Sequence, residues 1–241
     1  MVNNHASDVL KELWDVYGCS IEQEYGSLQK TKEQVLDEFF FVLLGGFGIS
    51  YELNLSGLQI LKQQDLFNET FYQEKNTLNI IEEKIRGQFS KKQFSPATSN
   101  GQLRKYRYIE TKPKTISNAC YWLWENCEWE LHEKLQTLNS CESRMWLCNC
   151  PGIGMKSASW LLRNTGFSED CAVFDVHIIR FLSYLGFPTH EPLTEKIYLK
   201  LEDGLRKVCS SIGVSLGKMD YLLWLLSRNG FLDYANRGER V

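Results

Sequence analysis

Apolar positions in this chain recur mostly at helical spacing. Val35, Leu36, Phe39, Phe40 and Leu43 crowd one side of a 3.6-residue period. Thr31 and Gln34 before them form the S/T-x-x-E/Q arrangement that caps a helix start. A buried helix over 31–44 is expected, ended by Gly45, Gly46 and Gly48. Leu58, Ile60 and Leu61 predict a further helical piece, and Leu78, Ile81 and Ile85 another. Ser117 to Leu138, rich in tryptophan and leucine, should also be helical, and Ile197, Leu201, Leu205 and Val208 mark one more apolar stripe. Gln88 to Gly101 carries Ser90, Ser95, Pro96, Ser99, Asn100 and Gly101, which is loop chemistry, and is expected to be mobile. No alternating strand pattern and no internal repeat appear, so the class is all-α.

Composition narrows the setting. A chain of 241 residues, 43% hydrophobic, can bury a core as one large domain or two small subdomains. It has no run of eighteen apolar residues, and its opening around Asn3, Asn4 and Asp8 lacks the basic-then-apolar order of a signal peptide. An intracellular protein with no membrane partner is expected, in cytoplasm and nucleoid or in a nucleus. The eight cysteines contain no C-x-x-C pair and read as reduced, mostly buried thiols.

The net charge of -3 argues against a protein that coats nucleic acid by global charge. Between Lys84 and Lys114, however, nine basic residues face one acid, Glu110. That stretch is either a solvated face or a phosphate-binding one. Arg104, Lys105 and Arg107 precede Lys112-Pro113-Lys114, where basic side chains beside a proline-started helix could hold a nucleic-acid backbone.

The most informative segment is Leu147 to Asn164, where two helical stretches flank the short turn Pro151-Gly152-Ile153-Gly154. Gly152 and Gly154 can take positive φ and carry no side chain, so backbone N–H groups of Gly152, Ile153 and Gly154 can approach a phosphate. Many helical proteins join helices through glycine without binding anything there. Lys156 follows the turn, and Trp160 shares its helix face, where a ring could stack on an extruded base or pack in the core. The helix from Lys156 to Thr165 rises about 15 Å. Gly166 is a natural stop, and the eight residues Gly166 to Val173 reach up to about 27 Å. Asp175 can therefore return beside Lys156 while also capping a helix over Val176–Leu185. Further on, Met219, Leu222 and Leu223 form one stripe, while Asp220 and Trp224 share another face.

Pro151-Gly152-Ile153-Gly154-Met155-Lys156 and Val173-Phe174-Asp175-Val176-His177 resemble the helix-hairpin-helix DNA glycosylases. The run Gly152 to Asn164 looks most like that of the archaeal-type 8-oxoguanine members. The resemblance implies two helical subdomains flanking a DNA-binding cleft, with subdomains at 50–174 and at 1–49 plus 175–241 and the hairpin at 147–164. It makes Lys156 the nucleophile of a bifunctional glycosylase and AP lyase acting through a Schiff base, with Asp175 assisting. It places Asp220 as an acceptor for purine N–H groups, Trp224 as a pocket wall, and His177 near a phosphate. The amine must be neutral to attack, which desolvation at a partly buried helix start could achieve.

The expected partner is double-stranded DNA with a damaged base, met by a monomer with no cofactor and no metal. Cys120 and Cys127 have the C-x6-C gap that opens an iron–sulfur loop in some relatives, but only Cys209 lies near the C-terminus, so no cluster is expected. The first thirty residues, the run past Gly230 to Val241 and the Gly45-Gly46-Phe47-Gly48 turn depart from the pattern and bear on lesion specificity. Rival readings are a glycosylase for another modified base and a non-catalytic helix-hairpin-helix DNA-binding protein.

Overall fold

A computed structural model describes residues 4–25, 30–189 and 193–231, so the end of the C-terminal run, 232–241, lies outside the described residues. The described residues form helices joined by turns, with a lone antiparallel bridge between Phe94 and Arg104. The chain groups into two compact units, 30–154 and 1–29 with 155–241. These boundaries differ from the expected 49/50 and 174/175. The opening helix α1 (Asn4–Tyr25) belongs with the C-terminal helices, and α2 (Lys32–Leu44) belongs with the central ones.

In the central unit α2 packs with α3 (Tyr51–Gln63), and α4 (Leu78–Phe89) packs on α5 (Lys112–Cys127), followed by α6 (Leu131–Gln136) and α7 (Ser140–Leu147). Thr31 and Gln34 form the expected capping box. The far end of α2 leaves carbonyls that need partners, and side chains distant in sequence supply them. Asn54 Nδ2 donates to Phe41 O at 2.8 Å, the Tyr106 hydroxyl to Leu44 O at 3.0 Å, and the Lys112 ammonium to Leu43 O and Gly45 O. Burial lowers the Lys112 pKa to about 8. Lys112 is therefore engaged inside the unit, and Arg86 pairs with Glu82, Glu83 and Glu110. The basic stretch is thinner as a phosphate surface than its composition suggests.

Two local expectations fail for tertiary reasons. The helix over Ser117–Leu138 breaks at Glu128 and Trp129, which take φ of 48° and 64°. The break turns the Trp129 ring inward against Phe40 and Tyr72, at centroid distances of 5.4 and 5.6 Å. The segment expected to be mobile begins with the last two residues of α4 and is then anchored by Phe94, fully buried against the rings of Phe89 and Tyr106.

The other unit joins α1 to α8 (Met155–Asn164), α9 (Val176–Tyr184), α10 (Glu195–Ser211) and α11 (Leu216–Arg228). Its core takes Ala6, Leu10 and Leu13 from α1, Phe181 and Leu182 from α9, Leu201 and Leu205 from α10, and Met219 and Leu223 from α11. The eight cysteines are free thiols. Cys120, Cys150, Cys171 and Cys209 are buried, whereas Cys19 and Cys141 are exposed.

The hairpin turn contains a close approach. Gly152 has φ of +84°, and a Cβ there would stand 2.3 Å from Thr115 Cγ2 on α5. Gly152→Ala is expected to destabilise the protein by about 1–3 kcal/mol through left-handed strain and overpacking together. A denaturant midpoint equal to wild type would contradict this account.

Candidate active site

The unit containing α8 to α11 holds Lys156, Trp160, Asp175, His177, Asp220 and Trp224. What organises them is the chain between α8 and α9. Gly166, at φ +77°, ends α8 as expected. The chain then runs through Cys171, Ala172, Val173 and Phe174, all at most 3% exposed and none in a helix. Buried backbone without regular structure must find other partners. The Ala172 N–H donates to Glu202 Oε1 at 3.0 Å, and Ala172 O accepts the Tyr198 hydroxyl. The Phe174 N–H donates to Tyr198 Oη at 3.4 Å, and that hydroxyl lies 3.4 Å from Ser159 Oγ on α8. The Val173 N–H lies beside the Asp220 carboxyl.

This segment delivers Asp175 to the start of α9. Its Oδ1 accepts both the His177 N–H at 2.8 Å and the Ile178 N–H at 2.9 Å, so the cap falls on one oxygen of a half-buried carboxylate. Lys156 is the second residue of α8 and is exposed. The partly buried helix start expected for it is not what the fold provides, because the apolar face of α8 runs through Ala158, Leu161 and Leu162 instead. Trp160 and Trp224 are half-buried and meet edge to face, with centroids 6.5 Å apart and planes at 79°. Trp224 also stacks with Tyr221 at 6.0 Å and lies under the Arg228 guanidinium. His177 is exposed.

Asp220 departs most from expectation. It is fully buried, and its Oδ2 accepts a hydrogen bond from Arg163 Nη1 on α8. Its Oδ1 is buried without a hydrogen-bond partner. One oxygen of this carboxylate thus faces an arginine of α8. Arg163, 2% exposed, also lies over the Trp160 ring at 5.8 Å and the Tyr221 ring at 5.7 Å. Sequence reasoning passed over it. Its only signal was a charge three residues after Trp160 on a helix whose neighbouring positions are apolar.

The turn itself is partly committed. Gly152 and Gly154 are exposed, but only Gly152 takes positive φ, and nothing stands within 4 Å of a Cβ built at Gly154. Ile153 is buried and its N–H donates to Cys150 O at 3.1 Å, so its backbone donor is used within the turn, contrary to expectation. Among the described residues no group of three His, Cys, Asp or Glu side chains is placed to hold a metal, and no helix is long and apolar enough to cross a membrane.

Burial pushes Asp220 up to about 6, against the opposing pull of Arg163. A carboxyl whose folded pKa exceeds its unfolded one binds its proton more readily when folded. Its stabilising contribution is therefore present at low pH and lost as pH rises through about 6. The stability of wild type relative to Asp220→Asn should accordingly grow as pH falls from 7 to 5. Urea titrations giving a constant difference across that range would refute the shift.

Comparison with known proteins adds to this geometry. The sequence profile described as 8-oxoguanine DNA glycosylase matches residues 70–214. An 8-oxoguanine DNA glycosylase/AP lyase of Fusobacterium nucleatum is 41% identical over 86 residues, 34% of this chain and 40% of that protein. Its namesake in Saccharolobus solfataricus is 33% identical over 131 residues, 52% of this chain and 61% of that protein. These matches thus span less than two thirds of either relative's length.

Over most of the chain the fold resembles the crystal structure of the 8-oxoguanine DNA glycosylase of Thermotoga maritima, with TM-score 0.64, 26% identity, and coverage of 92% of this chain and 96% of that one. It also resembles the Methanocaldococcus jannaschii 8-oxoguanine glycosylase/lyase solved with a 15mer DNA containing 8-oxoguanine, with TM-score 0.63 and 18% identity over 90% of this chain and 96% of that one. The profile spans more than half of the sequence, including the hairpin, Lys156 and Asp175, and the chain belongs to the 8-oxoguanine DNA glycosylase family.

Proposed function

We propose that this protein is a DNA glycosylase with AP lyase activity that excises 8-oxoguanine from duplex DNA as an intracellular monomer. Lys156 is the nucleophile and Asp175 its carboxylate partner. The observation that carries this reading is their placement on two consecutive helices of one unit. An exposed amine opens α8, and a carboxylate with one oxygen outside its cap opens α9.

In the reaction, neutral Lys156 Nζ attacks C1′ while the bond from C1′ to the base breaks, its electron pair leaving with the base, which takes up a proton. Asp175 stabilises the positive charge developing on the sugar and serves the proton transfers that open the ring to an imine. Removal of a C2′ proton then expels the 3′ phosphate and cuts the strand. Lys156 is exposed in the free protein and so is open to a bound duplex. Trp160 and Trp224 offer aromatic surface to the extruded base, and the open backbone at Gly154, with Gly152, offers a phosphate its approach. His177 stands as a further phosphate contact.

A second reading has one observation in its favour. The engagement of Asp220 with Arg163 takes up one of the two oxygens of the acceptor assigned to the purine, which leaves excision of another altered base open. Duplexes carrying different lesions separate the two.

Borohydride trapping on an 8-oxoguanine duplex tests the mechanism. Wild type should form a covalent adduct, and Lys156→Gln should form none while still binding the duplex. Asp175→Asn should slow adduct formation by roughly 10²–10⁴-fold. An adduct that persists in Lys156→Gln would sink the assignment. Equal inertness of wild type and variant would leave only a DNA-binding module.

A further inference from the structure

The Arg163–Asp220 pair has a geometric consequence for the reaction proposed above. Arg163 follows Lys156 by seven residues, two helical turns, so the two side chains leave α8 on nearly the same face. Fixing Arg163 therefore fixes the rotation of α8 that sets where Lys156 stands. Arg163 is held by the buried Asp220 carboxylate at its end and by the rings of Trp160 and Tyr221 over its plane. The same carboxyl neighbours the Val173 N–H, two residues before Asp175.

Asp220 thus holds the helix that carries the amine, and the Tyr198 hydroxyl ties that same helix, at Ser159, to Ala172 and Phe174 in the segment that carries its partner. Stability alone is a poor reason for such a pair, because a well-packed apolar pair of similar volume serves a core as well or better. Directionality is what a charge pair adds.

We infer that Asp220 is a positioning residue: through Arg163 it sets Lys156 relative to Asp175, and it does not read the base. The inference rests on the proposed lyase chemistry and separates from it experimentally. A base-reading residue matters only while a base is present. A positioning residue matters equally when the substrate is a preformed abasic site.

The experiment measures single-turnover strand cleavage and borohydride adduct formation on two duplexes of the same sequence, one with 8-oxoguanine and one with an abasic site. Wild type, Lys156→Gln, Asp220→Asn and Arg163→Lys are compared, with duplex affinity and thermal midpoint measured for each. Wild-type turnover abolished by Lys156→Gln establishes the parent chemistry in the same assay, and its absence sinks both proposals. Asp220→Asn is expected to slow both duplexes by the same factor, on the order of 10²-fold for an ångström of misplacement, with affinity within about twofold of wild type. Arg163→Lys keeps the charge but loses the guanidinium that lies over the Trp160 and Tyr221 rings, and should fall between. If Asp220→Asn slows only the 8-oxoguanine duplex, Asp220 reads the base and the inference is wrong. It is equally wrong if Asp220→Asn cleaves the abasic duplex at the wild-type rate, or if its losses follow a loss of folding or affinity while the stably folded Arg163→Lys is fully active.

Discussion

A stretch of chain buried outside any helix must still satisfy its peptide groups, and that constraint governs the site. Cys171 to Phe174 crosses the interior of its unit to bring Asp175 to the head of α9. An unpaired buried N–H or C=O costs about 1–3 kcal/mol. Glu202 and Tyr198 from α10 answer Ala172 and Phe174, and Asp220 from α11 stands at Val173. Glu202 and Tyr198, which pair with this backbone, thereby locate the Asp175 carboxylate, so its placement and the polar accounting of the core are one arrangement.

The same economy extends to α8. The Tyr198 hydroxyl reaches Ser159, and Asp220 takes Arg163, so α8 is held at two places one turn apart by the partners that hold the segment leading to Asp175. Lys156 sits beyond these anchors, exposed on a helix whose orientation they set. A rigid mount for an exposed amine suits chemistry in which the substrate completes the site. Contacts preorganised in the free protein need not be built at the moment of reaction. The aromatic edge-to-face pair of Trp160 and Trp224 joins the same two helices as Arg163 and Asp220, so the surface offered to a base inherits their alignment.

The acidic net charge is compatible with the proposed action on DNA because phosphate contacts are local. The basic stretch of Lys84–Lys114 shows how composition overstates such a surface. Lys112 closes the C-terminal end of α2, and Arg86 is held by three glutamates, so both serve the central unit's own structure. Phe47, 87% exposed at the tip of the glycine turn that Lys112 secures, is presented to solvent by this same construction.

By itself the sequence determined what depends on neighbours within about four residues. The capping box of Thr31 and Gln34, the left-handed stop at Gly166, the Asp175 cap and the helical stripes are local hydrogen bonds and local periodicity, and they stand where the pattern put them. Lys156 and Asp175, the residues of the proposed chemistry, were singled out by residue type and by spacing after a turn, which are local features. Only the tertiary structure decided what pairs across long separations. It broke the Ser117–Leu138 helix to bury Trp129, anchored the loop through Phe94, drew the unit boundaries at 29/30 and 154/155, and turned Asp220 toward an arginine 57 positions away. No local pattern encodes which buried charge meets which, because that choice is made by the packing of whole helices.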